Sequence, residues 1–129
     1  MADKANGIVV VNDVSAADPL TTVCKQRGIE THVFDDPEAA LEECRKNPPQ
    51  LAIVEEQVGD MLGVNFIGAL LTISWTANSI LISNKDHDTV HEMTEGLGVL
   101  GSLTGYSDIE ELNKLLDTFD KVTAGQPSV

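Results

Sequence analysis

The run Ile8-Val9-Val10-Val11-Asn12-Asp13 decides the fold: four β-branched residues in a row, then two polar ones. A strand with one wet face alternates apolar and polar side chains. A continuous apolar run belongs to a strand covered on both faces, which is the mark of a parallel sheet. Two more runs repeat the pattern, Leu51-Ala52-Ile53-Val54 before Glu55-Glu56, and Ile80-Leu81-Ile82 before Ser83. His32-Val33-Phe34 and Val99-Leu100 are weaker and read as edge strands.

Helical patterns fill the gaps. Ser15 or Asp18 opens a helix with Leu20, Val23, Cys24 and Arg27, stopped by Gly28. Asp36-Pro37 caps residues 38–46, and Pro48-Pro49 ends them. A third helix lies between Val64 and Trp75, and a fourth runs from Asp86 or His87 to Gly96. Ser107-Asp108-Ile109-Glu110 reads as a capping box opening a fifth, whose Ile109, Leu112, Leu115, Leu116, Phe119 and Val122 share a face. The order is β-α five times. Right-handed crossovers then predict an α/β fold, a five-stranded parallel doubly wound sheet in the flavodoxin-like order 2-1-3-4-5. Helices one and five should cover one face and helices two, three and four the other, with Val10, Ile53 and Leu81 at the sheet centre. Gly98 and Gly101 weaken the fifth strand. One domain is expected over residues 7–123, with residues 1–6 and 124–129 as flexible ends.

The 129 residues leave room for one domain, and 42% of them are hydrophobic, so the chain folds rather than forming an acidic tail. Eight basic against 21 acidic residues give a net charge of −13. Such a chain carries no electrostatic footprint for nucleic acid and is repelled by an anionic membrane. Residues 61–82 contain no charge, but Asn65, Thr72, Ser74, Thr76, Asn78 and Ser79 interrupt them and no basic cluster flanks them. They read as a helix and a buried strand, not a membrane span. Cys24 and Cys44 are too few for a disulfide framework and no secretory signal precedes them; they are expected to be buried free thiols of a cytoplasmic protein.

Two motif matches carry little. Gly96-Leu97-Gly98-Val99-Leu100-Gly101 has the spacing of a dinucleotide fingerprint, but a helix precedes it and a strand follows, the reverse of what a phosphate at a helix N-terminus needs. His87 and His91 stand one helical turn apart with no third ligand placed to complete a zinc site.

Ligands of open α/β sheets gather at the carboxyl ends of the strands. Those ends carry Asn12-Asp13, Glu55-Glu56, Ser83 and Ser102-Leu103-Thr104. Two carboxylates and a hydroxyl converging there would suit a divalent cation, or would simply be loop residues in water.

From residue 7 to about 122 the chain resembles a response-regulator receiver domain of the CheY-like family. Ile8-Val9-Val10-Val11-Asn12-Asp13 resembles its first strand ending in an acidic pair, and Asp36-Pro37-Glu38-Ala39-Ala40-Leu41 its second-helix entry. Leu51-Ala52-Ile53-Val54-Glu55 resembles the third strand, which in the family ends in the phospho-accepting Asp. The loop Glu56-Gln57-Val58-Gly59-Asp60-Met61-Leu62-Gly63 and the fourth strand Ile80-Leu81-Ile82-Ser83 follow in the same order. The resemblance implies a degenerate active-site pocket of Asn12, Asp13, Glu55, Ser83 and Leu103. Asn12 stands for the first acid, Glu55 for the phospho-acceptor, and Leu103-Thr104 for Lys-Pro; Leu100 takes a common aromatic position. Asp13 and Glu55 without a lysine carry the same −2 as three acids with one. What is lost is the cation that pairs with a phosphoryl group. Glu also extends its carboxylate one methylene farther, which misplaces a nucleophile for in-line transfer.

The expectation is a stand-alone, cytoplasmic receiver-like adaptor, not an enzyme, that acts through a protein partner such as a signalling protein or histidine kinase and is not phosphorylated at Glu55. No cofactor is required; weak Mg²⁺ binding by Asp13 and Glu55, helped by the Gln57 carbonyl, is compatible with it. The alternatives are an active receiver with metal-dependent or atypical phosphorylation, and a small flavodoxin-like enzyme using Asp13 and Glu55 as acid and base. Phe66, Leu70 and Ile73 should face the sheet, which leaves Val64, Leu71 and Trp75 as an uncharged face for a partner or a homodimer, or one covered by loops.

Overall fold

In the computed structural model, which describes residues 5–124, every apolar run becomes a strand and every strand of the main sheet is followed by a helix. β1 (Ala5–Val10) passes through a 3-10 turn at Val14–Ala16 into α1 (Asp18–Gln26), and β2 (Ile29–Phe34) leads into α2 (Pro37–Lys46). β3 (Leu51–Glu55) enters a small antiparallel hairpin, β4 (Gln57–Val58) and β5 (Met61–Leu62), before α3 (Gly63–Ile73). Then come β6 (Asn78–Ile82), α4 (His87–Thr94), β7 (Val99–Leu103) and α5 (Ile109–Ala124). The main sheet is parallel throughout, in the order β2-β1-β3-β6-β7. This is the expected 2-1-3-4-5 order once the hairpin is set aside.

Period-two alternation divides the core. Val9, Val11, Ile53, Ile80 and Ile82 pack under Leu20, Val23 and Cys24 of α1 and Leu112, Leu116 and Phe119 of α5. Ile8, Val10, Ala52, Val54 and Leu81 pack under Ala40, Leu41 and Cys44 of α2, Phe66, Ile67 and Leu70 of α3 and Val90 of α4. Each fully buried side chain of this size contributes ~1.5–3 kcal/mol, and slipping a strand by one residue would turn its whole set to the wrong face. Val10, Ile53 and Leu81 are fully buried, as expected of the sheet centre. Arg27 ties the two helices of one face together: its guanidinium bonds Asp117 at 2.5 Å, Asp120 at 3.1 Å and the Asn113 side chain at 3.1 Å.

Side-chain caps open α2 and α4, whereas α1 and α3 start after Ala17 and Leu62 with none. Asp36 accepts the Glu38 N–H at 3.0 Å, and Asp86 accepts the Thr89 N–H at 2.7 Å. The capping box expected at Ser107 gives way to Asp108 as the capping residue. Its carbonyl takes the first helical bond, from Leu112, while its carboxylate turns back to the Thr104 N–H (3.0 Å) and hydroxyl (3.1 Å). The segment 1–6, expected to be flexible, includes two residues of a strand. Ala5 and Asn6 belong to β1, where the Ala5 N–H bonds Gly28 and the Asn6 N–H bonds the Gln50 side chain at 2.6 Å. Ala124 is the last residue of α5; residues 1–4 and 125–129 lie outside the described residues.

On α3 the buried stripe is wider than expected: Ile67 joins Phe66 and Leu70 inside, while Ile73 is half-buried. The helix lies against α2 as well as the sheet. Val64 and Leu71 are therefore half-buried, and Trp75 stands beyond the helix end, 83% exposed. The three do not form one open face. Among the described residues no helix is long and apolar enough to cross a membrane. Cys24 and Cys44 are buried, and burial pushes both thiols up to about 11.

Two glycines admit close approaches. At Gly101 a Cβ would lie 2.7 Å from the Leu115 side chain, so the glycine that weakens β7 as a strand lets α5 pack against it. At Gly63 a Cβ would lie 2.4 Å from the Glu55 backbone oxygen, so α3 can start against the end of β3 only without a side chain there. Gly63→Ala should therefore cost ~1–3 kcal/mol. Gly68→Ala, at a mid-helix site where a Cβ meets nothing within 4 Å, should instead add ~0.5–1 kcal/mol. Urea midpoints separate the two; shifts of the same sign would contradict the packing described.

Candidate functional site

Register brings the carboxyl ends of the strands to one edge: Val10 pairs with Val54, Glu55 with Ile82 and Ile82 with Leu103. The Val11 N–H still bonds Phe34, which holds the chain straight as it delivers Asn12 to that edge. Asn12 then reaches three points of the β3–α3 connection. Its N–H donates to Glu55 Oε1 at 2.9 Å, its Nδ2 donates to the Gln57 carbonyl at 2.7 Å, and its Oδ1 accepts the Gly59 N–H at 3.2 Å.

Glu55, half-buried, takes a second donor on the same oxygen, the Tyr106 hydroxyl. That hydroxyl in turn accepts the Asp13 N–H at 3.2 Å. Burial pushes the Tyr106 phenol up to about 12, and its bond to Glu55 adds to the shift. Glu56 forms a second cluster. Its carboxylate accepts the Ser83 hydroxyl at 2.5 Å and pairs with the Lys85 ammonium, and the Lys85 N–H donates to Ser83 Oγ at 3.1 Å. Between the clusters lies a shallow crevice of about 310 Å³, floored by Ser83 and walled by Glu55, Glu56, Thr104 and Tyr106. Larger hollows lie elsewhere. One of about 500 Å³ between α1 and β2 carries Lys25 and Glu30 as its ionisable groups, well away from this convergence of carboxylates.

The structure thus brings Asn12, Asp13, Glu55, Gln57 and Ser83 to one edge. Leu103 does not join them. β7 alternates, so Gly101 and Leu103 both face α5, and the Leu103 side chain is fully buried in that core. The side chain that lines the crevice is Thr104, the next residue, beside Ser83. The site also has a lysine after all, Lys85, delivered by the β6–α4 loop rather than by β7. Counting Glu56 and Lys85 with Asp13 and Glu55, this edge carries three carboxylates and one ammonium, a net −2, although the ammonium pairs with Glu56 alone. Glu56 is read from the sequence only as a strand-end neighbour of Glu55, and Tyr106 and Lys85 are not singled out there. Tyr106 is the chain's one tyrosine and Lys85 lies two residues past Ser83, but nothing in the spacing says that their loops fold inward.

The expected metal ligands Asp13, Glu55 and Gln57 do not assemble into a ligand set. The Gln57 carbonyl is held by the Asn12 amide, the Asp13 carboxylate accepts the Ser15 hydroxyl at 2.6 Å, and Glu55 Oε1 already has two donors. Among the described residues no three His, Cys, Asp or Glu side chains gather around a metal position. His87 and His91 are exposed on α4 beside a hollow of about 50 Å³.

With one tyrosine in the chain, phenolate absorbance reports Tyr106 alone. The folded protein should titrate near about 12 and the urea-unfolded chain near the ordinary 10. The native state holds its proton more tightly, so the stabilisation is complete below about pH 10 and is lost as pH rises toward about 12. Glu55→Gln, which keeps an acceptor but removes the charge, should lower the native value. A native phenol titrating at the ordinary value would show that the bond to Glu55 does not form.

No family model matches the sequence, and no curated protein does. Solved structures do. The signal receiver domain of an HD domain-containing protein from Pseudomonas fluorescens Pf-5 superposes with a TM-score of 0.81 at 14% identity, over 96% of this chain and 100% of that one. A CheY-like response regulator receiver domain protein from Methanospirillum hungatei JF-1 gives 0.80 at 13% identity, over 96% and 100%. The chemotaxis protein CheY4 of Vibrio cholerae gives 0.78 at 18% identity, over 91% and 99%. Over nearly its whole length, then, the chain has the fold of the receiver domains.

Proposed function

We propose that this chain is a receiver-like signalling module that acts by contact with a protein partner and takes no phosphoryl group on Glu55. The observation that carries the reading is the state of the Glu55 carboxylate. One oxygen is held by the Asn12 N–H and the Tyr106 hydroxyl together. Attack on phosphorus needs a carboxylate oxygen aligned with the bond being broken; with Oε1 doubly held, the attack falls to Oε2 of a side chain longer than Asp and tethered from two sides, which holds it off that line. The cation that would receive a phosphoryl group is engaged as well, because the Lys85 ammonium sits on Glu56. A fixed carboxylate of charge −1 at the end of β3 imitates only part of the charge a phosphoryl group would bring there. The fold is one that serves signalling in the structures it resembles; the absence of catalysis here is part of the proposal.

Intact mass after incubation with a small phosphodonor and Mg²⁺ tests this. The wild type should gain nothing. The combined variant Asn12→Asp, Glu55→Asp, Thr104→Lys should gain one phosphoryl group. Thr104 is the position to change because Leu103→Lys would bury a charge in the core. A phosphoryl group on wild-type Glu55 would overturn the reading in favour of an active receiver. For the partner contact, Trp75 is the side chain to test first. Trp75→Glu should leave unfolding free energy within ~0.5 kcal/mol while weakening binding to the signalling protein the module serves. Undiminished binding would remove Trp75 from the contact.

A further inference from the structure

Asn12 is an exposed loop residue, yet both ends of its carboxamide are engaged across more than forty residues of sequence. The two ends are not interchangeable. Nδ2 meets a carbonyl oxygen, which only accepts, and Oδ1 meets an N–H, which only donates, so the orientation of the amide is fixed by its partners. A carboxylate in the same place would keep the Gly59 bond but would set an anionic oxygen 2.7 Å from the Gln57 oxygen, with no hydrogen between them. Two facing acceptors at that distance repel unless a proton or a cation bridges them. A small divalent cation, which takes several oxygen ligands at ~2.0–2.6 Å, would do so.

We infer that the Asn12 carboxamide stands in for a bound cation: its NH₂ group supplies the positive edge that holds the Gln57 carbonyl, and it fixes the loop from Glu55 to Gly59 without metal. Three features fit together on this account. The Asn12 N–H anchors Glu55, the Asn12 side chain anchors Gln57 and Gly59, and the hairpin of β4 and β5 continues from that anchored loop into α3. A loop that a cation would order in one state and release in another is here tied permanently to the end of β1. The inference concerns the loop and stands whether or not Glu55 can be phosphorylated, so the phosphodonor experiment does not decide it.

The test is thermal unfolding of three proteins with and without MgCl₂, or MnCl₂ as a second probe, beside amide hydrogen exchange at Gly59. The wild type should melt at the same temperature with either metal or none, with the Gly59 N–H protected throughout. Asn12→Asp should melt lower in a chelator and rise by a few degrees, saturably, as the metal is added. Asn12→Ala should lose both stability and Gly59 protection, and metal should restore neither. Asn12 is outside the core, so the variants are expected to fold; circular dichroism at low temperature checks this, and Gly59 exchange in the wild type with and without metal tests the inference even if one does not. A saturable metal-dependent rise in the wild type, an Asn12→Asp protein indifferent to both metals, or an Asn12→Ala protein that keeps the wild-type melting point and Gly59 protection would each overturn the inference.

Discussion

The in-register pairing of β1 with β3 is the constraint from which the rest follows. Both strands are buried on both faces, and Val9 meets Ile53 and Val10 meets Val54 between two layers of helices. Neither strand can slide without turning a complete set of apolar side chains to the wrong layer. Because that register is fixed, Asn12 and Glu55 emerge side by side, and each of the short bonds at the sheet edge is a consequence. Gly63 extends the same constraint to α3, since the helix begins in contact with the Glu55 backbone.

The chemistry at the edge is self-contained. Both carboxylates that wall the crevice already have partners: Glu55 has the Tyr106 hydroxyl and a backbone N–H, Glu56 has Ser83 and Lys85. Bonds of this kind, with an ionised acceptor, are stronger than neutral ones, and they tie β1, β3, β6 and the β7–α5 loop to each other. The same four places that would have to move apart to admit a ligand are cross-linked. On the proposed reading, a module so constructed would convey information by the surface it presents, not by a change at this edge.

The fold was legible in the sequence because its evidence is periodic. Continuous apolar runs mark doubly covered strands, and caps such as Asp36 and Asp86 mark helix starts with one residue. The site was legible only as far as strand ends determine it. Asn12, Glu55 and Ser83 follow directly from strands, and the structure puts them at that edge. Leu103 lies elsewhere, because one residue of register at the end of β7 decides whether a side chain faces α5 or the crevice. Tyr106 and Lys85 come from loops whose course depends on contacts made after folding: the Asp108 carboxylate closing on Thr104, and the Lys85 N–H on Ser83. Trp75 was drawn into the face of α3 because nothing in its neighbourhood signals that the helix stops at Ile73.

The claim at the centre of this account is that the carboxyl edge is already closed by its own side chains. Beryllofluoride with Mg²⁺ imitates an acyl phosphate on a receptive carboxylate, and the backbone amides of Asn12, Asp13 and Gly59 report on the edge directly. In ¹H–¹⁵N spectra of the labelled protein, these amide resonances should stay where they are when beryllofluoride and Mg²⁺ are added together. Saturable shifts at those three positions would show an edge that opens to an acyl-phosphate mimic, and would contradict the account.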